Sequence, residues 1–150
     1  MKQSPQAQKL QEILSSSKLV AGGFIGNDPR SFSEIIDADT ASLSHLGFTI
    51  KQIATRMQEV TDIATSALGN WAEIDQHRLA KVDEAKGKLV CPWPHAGSFA
   101  KRVTTVKLIK SANTIQWSDL NIHLIAEHAF FEGKGSAFRI EPNDLINTIF

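Results

Sequence analysis

The chain has 150 residues, 42% of them apolar, and 16 basic against 16 acidic side chains, for a formal net charge of zero. That length suits one domain able to bury a core, and the balanced charge excludes the global basic signature of a nucleic-acid binder. A single cysteine excludes an internal disulfide framework.

Met1 to Gln8 is polar and lacks the apolar segment of a signal peptide. No later run is long and apolar enough to span a bilayer, so the sequence reads as cytoplasmic with no membrane association. Gln6 to Ser16 places Leu10, Ile13 and Leu14 at helical spacing, and Ser15-Ser16-Ser17 ends the helix. Leu19 to Gly26 is glycine-rich but lacks the lysine and Ser/Thr of a phosphate loop, and reads as a packed connector. Ser31 to Leu46 carries Phe32, Ile35, Ile36, Leu43 and Leu46, with Ser31 or Ser33 as a cap. Asp37-Ala38-Asp39-Thr40 interrupts that pattern and predicts two short helices with surface acids at their boundary. The clearest helix is Phe48 to Leu68, in which Ile50, Ile53, Ala54, Met57, Val60, Ala64, Ala67 and Leu68 repeat at three- and four-residue steps. Thr49 is its cap and Gly69 its stop. Its apolar stripe is expected to bury against a sheet, with a homodimer interface as the alternative.

After Trp71 the character changes. Arg78–Ala85 and Leu89–Cys91 read as strands joined by a hairpin turn at Glu84–Lys88. Val103–Ile109 and Thr114–Trp117 read as a second strand pair, and Ala137–Ile140 as a last strand. Ser118 caps a helix ending near His128, which is apolar on more than one side and therefore expected to be buried. Pro142 opens a C-terminal helix through Ile149. The whole predicts an α+β protein of one domain. A helical N-terminal half, about residues 1–70, packs on a mostly antiparallel sheet of four or five strands built from residues 78–140, with a ββα-like C-terminal part.

The chemistry concentrates between Cys91 and His128. Cys91-Pro92-Trp93-Pro94-His95 reads C-x3-H, and His123-Leu124-Ile125-Ala126-Glu127-His128 reads H-x4-H. Thiolate and imidazole are the donors zinc accepts, and a structural zinc site takes four of them in a tetrahedron. Cys91, His95, His123 and His128 are the candidate ligands, Zn2+ the expected ion, and Glu127 a neighbour able to orient a ligand. The two prolines stiffen the first loop and lower the entropy lost on closing it around an ion. One geometric objection stands: positions five apart point ~140° away from each other on an ideal helix. Gly133-Lys134-Gly135-Ser136 is a weaker candidate, an anion nest of backbone amides.

Three functions follow. The first is a binding module with a closed structural zinc, recognising a protein or small-molecule partner, whose C-terminal half unfolds without metal. The second is a small metal-dependent hydrolase with three histidines, an exchangeable water and Glu127 as base. The third, least favoured, is nucleic-acid binding through the lysines between Arg78 and Lys110, with Trp93 or Trp117 as stacking surfaces.

Overall fold

Local capping chemistry sets where most of the helices begin. The structure, a computed structural model, describes residues 4–17, 19–20 and 22–150. The polar N-terminal stretch and the glycine-rich connector each include positions outside these, residues 1–3 and Ala21. Helix α1 (Pro5–Ser15) starts at Ser4, whose hydroxyl accepts from the Ala7 amide, with Pro5 in its first turn. Helices α2 (Phe32–His45) and α3 (Ile50–Thr65) open with reciprocal capping boxes, Ser31 with Glu34 and Thr49 with Gln52. The expected break at Asp37–Thr40 does not occur, and α2 runs through it. Asp39 is buried rather than a surface acid, because its carboxylate receives both terminal nitrogens of Arg139, 100 positions away.

Strands β1 (Ala72–Asp75), β2 (Arg78–Val90), β3 (Ser98–Leu108) and β4 (Thr114–Ser118) form one antiparallel sheet in sequence order. Alternation along the strands sends Ala80, Val82, Thr104, Val106 and Trp117 to the helix side, where all are buried. The sheet starts and stops earlier than residues 78–140. It opens with β1, ahead of the expected range, and Ala137–Ile140 is not a strand: the Arg139 amide donates to Ser136 and the Ile140 amide to Phe131. The expected hairpin turn at Glu84–Lys88 is also absent. β2 continues through it, and the pairing register with β3 shifts between Glu84 and Lys88. Gly87, at φ 106°, supplies the backbone freedom that such an irregularity uses.

Helix α3 lays Ile53, Met57, Val60 and Ala64 on the sheet. Beneath it, Trp117 donates its indole N–H to Thr61 at 2.9 Å, and the Thr61 and Thr104 hydroxyls meet at 2.7 Å, so this core satisfies its own polar atoms. Helix α4 (Asp119–His128) follows β4 directly, capped by Ser118 in a box with Asn121. It is buried on two sides because it separates two apolar clusters. Ile122 and Ile125 join α3, the sheet and helix α5 (Pro142–Ile149); Leu120 and Leu124 join Leu10, Leu14, Phe24, Ile35, Cys91 and Phe130. The remaining flank carries the histidines. No helix among the described residues is long and apolar enough to cross a membrane.

Candidate metal centre

The β2–β3 connection carries Cys91 and His95, and α4 carries His123 and His128. Cys91 leaves β2 into the second apolar cluster and is buried. His95 follows a tight turn in which its amide donates to the Trp93 carbonyl at 2.8 Å. One donor atom from each of Cys91, His95, His123 and His128 lies within 4.8 Å of every other, a grouping able to hold a metal ion.

The individual separations are more telling. His95 Nε2 lies 3.2 Å from His128 Nε2 and 3.2 Å from His123 Nε2, and Cys91 Sγ lies 3.5 Å from His128 Nε2. With Zn–N near 2.0–2.1 Å and Zn–S near 2.3 Å, a regular tetrahedron has N···N edges of about 3.3 Å and N···S edges of about 3.6 Å. These three of the six donor separations match those edges, and the other three lie within 4.8 Å. Proton bookkeeping points the same way. His95 Nδ1 lies 3.1 Å from the Ala96 carbonyl, which can only accept, so Nδ1 carries the proton and Nε2 offers a lone pair. That single lone pair faces two imidazole nitrogens at equal distance and accepts one N–H well; a cation among the donors satisfies all of them.

The i, i+5 objection from ideal helix geometry does not keep the histidines apart. His128 is the last residue of α4 and Ala129 turns left-handed at φ 53°, so no further helical turn crowds the space beside it. The His123 and His128 ring centroids stand 5.2 Å apart. The carbonyl end of α4 also favours a cation there.

Aromatic rings hold the imidazoles. Trp93 stacks on His128 at 4.1 Å with planes 11° apart, and is itself met edge-on by Phe32 and Phe130. Phe99 tilts against His123 at 4.5 Å. The donor spacing by itself does not point to either ring as part of the site, although Trp93, midway between two ligand candidates, is a readable signal. Of the two tryptophans expected as stacking surfaces for nucleic acid, Trp117 is fully buried, and half-buried Trp93 has one face stacked on His128.

Burial also tunes the donors. It pushes the His128 imidazole down from 6.5 to about 4, with the charges of His123 and His95 adding to the effect, and it lowers His123 as well. Both are therefore neutral, ligand-competent bases near neutral pH. Burial raises the Cys91 thiol, against a smaller opposing contribution from the Trp93 backbone, so its thiolate needs a cation beside it. Glu127 is exposed and forms no hydrogen bond with the imidazoles among the described residues; its charge opposes the lowering of His123 and His128. The partner of His95 on its outer side is the Ala96 carbonyl instead.

The other candidate, Gly133–Ser136, packs on residues 24–28. The Gly133 amide donates to the Phe24 carbonyl, the Lys134 amide to the Asp28 carboxylate at 3.1 Å, and the Ser136 amide to the Gly133 carbonyl. A Cβ on Gly133 would stand 2.2 Å from the Ile25 carbonyl oxygen, so only glycine allows this approach. The anion at this loop is the chain's own: Asp28, also gripped by Arg30, whose guanidinium holds its carboxyl well below the usual range.

Compared with known proteins, the chain matches no family model, no curated protein and no solved structure.

Proposed function

We propose that this protein is a binding module stapled by one structural zinc ion, with Cys91, His95, His123 and His128 as its ligands. The observation that supports this reading is the set of donor separations, 3.2, 3.2 and 3.5 Å, which are close to three of the six edges a zinc tetrahedron would have, within a group of donors all inside 4.8 Å. Four protein donors use all four positions and leave none for water, the pattern of a structural rather than a catalytic site. The donor set, one soft thiolate and three imidazoles, suits zinc and excludes the all-oxygen coordination that magnesium and calcium take. When bound, the ion would supply the positive charge that keeps Cys91 ionised and ties the β2–β3 connection to the end of α4.

Metal analysis of protein purified without immobilised nickel tests this. The expected result is about one zinc per chain, lost in Cys91→Ser and His123→Ala with a fall in thermal stability. Folded, stable protein that neither carries nor takes up zinc overturns it. The metalloenzyme alternative, with Glu127 as base, needs an exchangeable position. Cobalt-substituted protein separates the two: a visible spectrum unchanged by azide supports the closed site, and a shifted one supports an open site.

A further inference from the structure

We infer that the free edge of β4 is a docking groove for an extended peptide bearing a basic residue, which adds to the sheet as a fifth strand. This is independent of the zinc reading.

The sheet order leaves β1 and β4 as edges. Proteins protect open edges with charge, proline, brevity or irregular register, because unpaired N–H and C=O groups recruit other strands. β1 is protected: it has four residues, carries Glu73 and Asp75, and shifts register between them. β4 is not. Thr114-Ile115-Gln116-Trp117-Ser118 contains no charge and no proline and pairs with β3 in unbroken register. Among the described residues, no backbone–backbone bond outside its pairing with β3 reaches residues 114–117. Ala137–Ile140 lines the same cavity as Thr114–Gln116, and among the described residues no backbone hydrogen bond joins the two segments. The Arg139 and Ile140 amides donate to the Ser136 and Phe131 carbonyls, and the Arg139 side chain binds Asp39, Glu141 and the Glu132 carbonyl.

Between the two lies a cavity of about 610 Å³, lined among others by Thr114, Gln116, Phe138, Asp144 and Asn147. That is within the ~300–1,000 Å³ range of ligand sites. One wall is a strand edge, so the occupant that satisfies it is extended main chain, the β-augmentation mode of peptide recognition. Charge selects the side chain. Arg139 is neutralised by Asp39 and Glu141, whereas Asp144 has no cationic partner among the described residues. The groove therefore favours lysine or arginine. A second copy pairing edge to edge would offer its own uncharged β4 and no cation from that strand, so a separate segment complements the groove better.

The test is an NMR titration of the 15N-labelled full chain with the synthetic peptide acetyl-Thr-Val-Lys-Val-Thr-amide, up to millimolar concentration. The expected result is shifts confined to residues 114–117 and 137–148, and none with the same peptide N-methylated at alternate amides. Asp144→Lys should weaken binding about three- to tenfold, as reversal of one exposed ion pair implies, and replacing the peptide lysine by glutamate should restore it on that variant. Absence of shifts, shifts elsewhere, or equal binding by the N-methylated peptide overturns the proposal. So do concentration-dependent shifts at β4 without peptide, which assign the edge to a second copy.

Discussion

Glu132 shows how one buried group sets a pH dependence. It is 5% exposed, adopts a left-handed φ of 67°, and accepts a 2.6 Å bond from the side-chain Nδ2 of Asn121, a residue of the α4 capping box. Burial pushes its carboxyl from 4.5 up to about 7, against the Asn121 bond and the nearby Arg139 charge. Between those values the folded chain keeps the proton that the unfolded chain has released. Folding stability contributed by this group is complete below 4.5 and is lost as pH rises to about 7. Glu132→Gln keeps the acceptor and removes the titration. Urea unfolding from pH 4.5 to 8 should show the variant with a flatter profile in this window and at least wild-type stability at pH 8; an unchanged slope would assign the dependence to another group.

At the scale of elements, α5 depends on partners from elsewhere in the chain. Its last carbonyls lack helical partners. Arg78 from β2 donates to the Thr148 carbonyl at 2.6 Å and to that of Phe150, while Arg56 from α3 donates to Ile149 at 2.7 Å; both arginines also bind Asp75. Two cations at a helix C-terminus also suit its dipole. Because Arg78 is buried, Arg78→Ala leaves acceptors without donors and should cost about 2–3 kcal/mol in denaturant unfolding. Arg78→Lys should recover only part, since a single ammonium cannot reproduce the planar fork. A loss below about 0.5 kcal/mol would place this end of α5 outside the cooperative unit.

On the scale of the molecule, the metal candidate touches one of the two apolar clusters. Cys91 belongs to the cluster formed with α1, Phe24, Ile35 and Phe130, and none of the four candidate ligands belongs to the cluster under α3. Metal removal by a strong chelator is therefore expected to act unevenly. Amide exchange should rise first in residues 91–98 and the last turn of α4, while Val60, Val106 and Trp117 stay protected. That is narrower than loss of the whole C-terminal half, because α4 remains held by Ile122 and Ile125 in the other cluster. Uniform loss of protection would make the ion essential to the entire fold.

What the sequence determined by itself is what neighbours in the chain decide. Ser31, Thr49 and Ser118 cap their helices through residues three positions on, and the stripe of α3 is read from its own period. The metal candidate was legible because its donor types are few and closely spaced in two short segments. The tertiary structure decided the rest. Glu84–Lys88 suits a turn or a bulge equally well in isolation, and pairing with β3 makes it a register shift within β2. Asp39 reads as a surface acid until Arg139 arrives from 100 positions away, and the same arginine also binds Glu141. The stacking of Trp93 on His128, and the buried carboxyl of Glu132, exist only once distant segments exclude water together. Caps and periods are local free energies; burial and long-range ion pairing are properties of the folded chain alone.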